Sequence, residues 1–86
     1  MKETWTVAKV LKWTQGYFTE KGIDTARLDA EILIAHALQI ERMGVYLEHH
    51  KPLSPIELAE IRGLVQRRGK FEPVAYIVGN RGFWKI

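Results

Sequence analysis

Residues 28–38, Leu-Asp-Ala-Glu-Ile-Leu-Ile-Ala-His-Ala-Leu, decide how this chain folds. Wound at about 100° per residue, their apolar side chains do not keep to one stripe. Leu28, Ile32 and Ala35 take one face, Ala30 and Ala37 the opposite one, and Leu33, Ile34 and Leu38 fall between. A helix apolar almost all round is a buried helix. This one is too short to span a bilayer and carries Asp29, Glu31 and His36, so protein must bury it. The expected fold is all-α: a small bundle of about five helices around a central helix at residues 25–38.

The flanking segments supply the wrapping. Thr6 is placed as an N-cap, with Trp5 and Val10 as a hydrophobic staple, for an amphipathic helix over residues 7–20. Val7, Val10, Leu11, Thr14, Tyr17 and Phe18 share its apolar side, Trp13 lies at the margin, and Gly22 stops it. Its aromatic residues at helical spacing read as core, not as a ligand cage. Asp24 or Thr25 caps the central helix, on which Arg27 and Glu31 are i, i+4 neighbours. Residues 41–48 read as a short helix with Met43, Val45, Tyr46 and Leu47 available for packing, and residues 49–52 as a loop. Ser54-Pro55-Ile56-Glu57 combines an N-cap serine, proline at N1 and glutamate at N3, the signature of a capping box. The helix it opens runs to about Arg68 and buries Leu58, Ile61, Leu64 and Val65. Arg68 falls on the apolar side, where its stem packs and snorkels or its guanidinium pairs with a carboxylate such as Asp29. Residues 72–79 hold proline where a helix starts and glycine where one ends; one or two helical turns or a short strand fit them.

Composition sets the outer bounds. Eighty-six residues, 47% apolar and 27% charged, make one globular domain with a modest core. The absence of cysteine removes disulfides and thiolate metal sites and suits the cytoplasm. No apolar run follows Lys2, which argues against a secretory signal, and nothing reaches transmembrane length. His36 reads as a hydrogen-bonded residue at the core edge, and His49 with His50 lacks a third ligand, so no metal site is expected. The net charge of +3 is unevenly spread. Residues 1–60 hold 7 Lys/Arg against 9 Asp/Glu, net −2, whereas residues 61–86 hold six cations against Glu72 alone, net +5. That end suits an acidic or phosphate-bearing partner. Phe83, Trp84 and Ile86 crowd the last four positions, which leads us to expect a further element beginning there.

Several stretches taken together carry a resemblance: residues 27–38, Leu53-Ser54-Pro55, Arg67-Arg68, residues 72–79 and Phe83-Trp84. In this order they resemble the N-terminal domain of the HemK (PrmC) family, and the likeness covers nearly the whole chain. That family comprises S-adenosylmethionine-dependent methyltransferases that modify the glutamine of the Gly-Gly-Gln motif of peptide-chain release factors. The resemblance implies a helical substrate-recognition domain at residues 1–79 and, at residues 80–86, the start of a linker to a catalytic domain. The family's glycine-rich cofactor loop and its Asn-Pro-Pro-Tyr motif do not occur here, so no catalytic, cofactor or metal residue is assigned and S-adenosylmethionine belongs to the parent enzyme. Gln39 stands where the family usually has glycine, which weakens a helix stop; Asn80, Gly82 and Lys85 are further departures.

The resemblance implies a release factor and the protein's own catalytic domain as partners. The candidate contact surface is Arg62, Arg67, Arg68, Lys70 and Tyr76, and the candidate inter-domain hinge is Gly79, Arg81, Phe83 and Trp84. The competing reading is a small basic module that binds nucleic acid or another protein. Gly79-Asn80-Arg81-Gly82 has the form of a KH-domain clamp, but a KH fold needs a following helix and a three-stranded sheet. Direct nucleic-acid contact and a membrane role are therefore not expected.

Overall fold

The computed structural model describes residues 4–78, and among them the chain forms five helices and no strand. They are α1 (Val7–Glu20), α2 (Ala26–Leu38), α3 (Gly44–Leu47), α4 (Pro55–Gly69) and α5 (Val74–Val78). The all-α bundle is therefore as expected, and where helix or strand was open the chain forms a helix at Val74–Val78. The central helix α2 packs on all four others, and Ala30, Leu33, Ile34 and Ala35 are buried with Val7, Val10 and Phe18 of α1 and Ile61 and Val65 of α4. The three-stranded sheet a KH fold requires has no counterpart among the described residues.

The burial of α2 differs from the sequence pattern in one respect. Leu28 is 39% exposed and Ile32 half-buried, whereas Asp29 and Glu31 are almost fully enclosed at 4% and 8%. The carboxylates can sit inside because each is satisfied there. Asp29 Oδ2 accepts from Arg68 Nε of α4 at 2.9 Å and from the Thr25 hydroxyl at 3.0 Å. Glu31 meets Arg27 at 3.3 Å and Arg42 at 3.4 Å and accepts from the Tyr46 hydroxyl. Arg68 also donates to the carbonyl of Glu72 at 3.1 Å, so one guanidinium joins the start of α2, the end of α4 and the approach to α5. Pairing with Asp29, one of the two fates open to Arg68 in the sequence, is the one adopted.

Local chemistry sets the helix starts. Thr6 Oγ1 accepts from the Lys9 amide at 3.2 Å, while the loop carbonyls of Lys51 and His49 take the amides of Val7 and Ala8 at 3.1 and 3.0 Å. The loop at residues 49–52 thus completes the cap of α1. The α4 capping box is present in full, with Glu57 N to Ser54 Oγ at 3.2 Å and Ser54 N to Glu57 Oε1 at 2.9 Å. Thr25 precedes α2, but its hydroxyl goes to Asp29 and does not cap the backbone.

The ends of α1, α2 and α4 share a single device, the Schellman motif. The amides of Ile23, Ile40 and Glu72 reach back to the carbonyls of Phe18, Ala35 and Arg67, with the residue between in the left-handed region. That residue is Gly22 in α1 (φ 82°), but Gln39 in α2 (φ 59°) and Phe71 in α4 (φ 68°). The stop at residue 39 is kept without glycine because the Ile40 side chain packs against the core and holds the turn. Two expectations need correction. The third helix is only Gly44–Leu47, and Met43, Tyr46 and Leu47 lie exposed, leaving Val45 as its buried residue. In α4, Leu58 and Leu64 are half-buried and Ile61 and Val65 fully so, since α4 meets the core along a narrower stripe.

Breaking a buried pair from one side leaves an uncompensated charge. Asp29→Ala is expected to cost about 3 kcal/mol in urea unfolding, the range for one-sided loss of such pairs, while Arg67→Ala, which breaks a partly exposed pair, costs about 1 kcal/mol at most. Gln39→Gly is expected to stabilise by about 1 kcal/mol by relieving the left-handed backbone, read as a higher melting temperature.

Candidate functional site

The basic C-terminal half of α4 does not present its cations equally. Arg62 and Lys70 are exposed, and Tyr76 on α5 is 73% exposed. Arg67 is held in a two-pronged pair with Glu72, Nε to Oε1 at 3.0 Å and Nη2 to Oε2 at 2.6 Å. That pairing holds the Glu72 carboxyl below its ordinary range and raises Arg67, chiefly through the shared hydrogen bonds. It also occupies the two positions of the Schellman motif where apolar residues usually touch, so the α4–α5 turn is closed by charge. Arg68 is turned inward to Asp29 and its guanidinium is committed to the fold. The hinge residues Gly79, Arg81, Phe83 and Trp84 lie outside the described residues.

The structure adds residues that periodicity assigned to the core. Trp13, at the margin of the α1 stripe, is 49% exposed and stacks on Tyr17 with ring centroids 5.5 Å apart and planes within 6°. The Lys21 ammonium lies 5.4 Å from the Tyr17 ring centre, continuing the column by one more turn of helix. Tyr17 in turn rests on Gly69 of α4: a Cβ there would lie 2.6 Å from the phenol oxygen. Beside this column Trp5, Val10 and Trp13 face Leu58, Ile61 and Arg62 across a groove of about 180 Å³. The signal in the sequence was the marginal position of Trp13; its exposure depended on where α4 crosses α1. Phe71, 60% exposed in the left-handed region, is a further outward aromatic next to Lys70.

A larger open cavity, about 620 Å³, lies between the C-terminal end of α2 and α4 and is lined by His36, Gln39, Glu41, Glu60 and aliphatic neighbours. Among the described residues no group of three His, Asp or Glu side chains could hold a metal ion, and no helix is long and apolar enough to cross a membrane. S-adenosylmethionine, which the family resemblance implies for the parent enzyme, does not fit the described residues. None of them forms the strand, glycine-rich turn and helix by which a doubly wound fold holds a nucleoside cofactor.

Comparison with known proteins concerns the chain as a whole. The model of the PrmC N-terminal domain family matches residues 9–79. The release factor glutamine methyltransferase of Geobacter sulfurreducens is 53% identical over 81 residues, which is 94% of this chain and 28% of that protein. The enzymes of the same name from Rhodopirellula baltica and Chlorobaculum tepidum are 44% and 40% identical, over 95% and 96% of this chain and again 28% of theirs. The chain therefore spans little more than a quarter of the length of these relatives. No solved structure matches it.

The contact at Gly69 yields a paired test. Gly63, mid-helix with open space before it, gains about 0.5–1 kcal/mol on conversion to alanine. Gly69→Ala is expected to lose about 1 kcal/mol in spite of the same propensity gain, because Tyr17 must leave its seat. Chemical unfolding of the two variants reads both signs.

Proposed function

This chain belongs to the PrmC N-terminal domain family, and from that premise we propose that it is the substrate-binding part of a release factor glutamine methyltransferase. Its substrate is a peptide-chain release factor, and the reaction it serves is N5-methylation of the glutamine of the Gly-Gly-Gln motif by S-adenosylmethionine in the cytoplasm. Methyl transfer takes place in a separate catalytic domain, to which residues 80–86 lead. The observation that carries this reading is the match of residues 9–79 to the family, within relatives of which the chain spans 28%.

The physical role is positioning. A reacting glutamine gains rate when binding energy remote from the chemistry holds it in place. Arg62, Lys70 and Tyr76 form the outward contact surface, carrying charge and an aromatic ring on the exposed faces of α4, its C-cap and α5. Arg67 holds the α4–α5 turn through Glu72, and Arg68 positions that surface from below through Asp29.

Two measurements test it. A release factor titrated into the isotope-labelled chain is expected to shift amide signals over residues 62–76, and shifts confined to the rest of the bundle would remove the surface assignment. The chain alone, mixed with a release factor and S-adenosylmethionine, is expected to transfer no methyl group; measurable turnover would refute a purely binding role.

A further inference from the structure

We propose that the groove between α1 and α4 is the seat for one large apolar side chain carried on an acidic segment of the release factor. This deepens the reading of the chain as a substrate-binding domain and rests on it. The size of the groove sets what it can take. At about 180 Å³ it is smaller than the ~300–1,000 Å³ of small-molecule sites. A single buried side chain, the usual anchor of a protein interface, is the matching occupant.

Its walls specify that occupant further. Val10, Leu58 and Ile61 form an aliphatic floor, and Trp13 stands at the rim with about half its surface open to water. A tryptophan so placed supplies large contact area at small entropic cost, which is why such residues dominate interface energetics. One face of Trp13 is already covered by Tyr17, so the ring works as a fixed wall and not as a free platform for stacked bases. That favours an apolar side chain over a nucleobase.

Charge then selects the surroundings of the anchor. Arg62 is the one charged residue among the six lining the groove. Lys21 adds a cation against Tyr17, the ring that stacks on Trp13, and exposed Lys70 follows Gly69, on which Tyr17 rests. The nearby carboxylate of Glu57 is turned to the Ser54 amide by the capping box. A segment with carboxylates flanking its apolar anchor meets this rim with opposite charge, which favours both encounter and register.

The test titrates a release factor into the 86-residue chain and into Trp13→Ala, Arg62→Glu, Lys70→Glu and Tyr76→Ala. Trp13→Ala and Arg62→Glu are each expected to weaken binding at least about tenfold, as loss of a central anchor does. In the unmodified chain the Trp13 indole N–H signal is expected to shift on binding, a readout that holds even if Trp13→Ala does not fold. Normal affinity in Arg62→Glu and Lys70→Glu with an unmoved indole signal, while Tyr76→Ala loses binding, would overturn the groove and leave the recognition role standing. Absence of any binding by the unmodified chain would overturn both. An oligouridylate that shifts the same indole and displaces the release factor would reassign the groove to nucleic acid.

Discussion

Two carboxylates on a buried helix constrain everything around them. Asp29 and Glu31 lie within one turn of each other on α2, and both are enclosed. An enclosed carboxylate without partners is far less stable than one in water, so neighbouring elements must bring donors to meet it. Arg68 arrives from the end of α4, Arg42 and Tyr46 from the segment after α2, Arg27 from the first turn of α2 and Thr25 from just before it. The hydrophobic effect brings the helices together without direction; these pairs decide which end of α4 lies against which end of α2.

From that registration the outer surface follows. With Arg68 drawn inward, its neighbours Arg67 and Lys70 are left outside, and the α4–α5 turn is stapled by Arg67 and Glu72. With α4 set along α1, Tyr17 settles on Gly69 and Trp13 faces Arg62 across a shallow groove. Basic and aromatic side chains from separate parts of the sequence are thereby held on one face by the same packing that closes the core. A surface mounted on helices fixed in this way keeps its geometry without help from a ligand.

The helix stops show how far tertiary packing overrides local preference. Glycine is the residue that adopts the left-handed C′ position without strain, and Gly22 fills it in α1. Gln39 and Phe71 fill it in α2 and α4, where the following residue is held by other means: Ile40 by the core and Glu72 by Arg67. The turn is thus set by its neighbours on both sides, and the local strain persists because they do not yield.

Sequence alone determined the existence and order of the first four helices, because capping chemistry and apolar spacing act over a few residues; at residues 72–79 it left helix and strand both open. The Thr6 and Ser54 caps, the buried Ala30, Leu33 and Ile34 of α2 and the positive end of the chain are all written locally. It also offered the Asp29–Arg68 pair as one of two fates for Arg68, since a cation on an apolar stripe needs an acceptor somewhere. What only the tertiary structure decided was which face of each helix meets a neighbour. The apolar residues of α2 surround it, so periodicity could not say that Leu28 would face water while Asp29 and Glu31 would not. Nor could it say that Trp13 would stand open, because that depends on where α4, more than forty residues away in sequence, crosses α1. Side-chain chemistry is encoded residue by residue, whereas exposure is a relation between distant segments, fixed only when they pack.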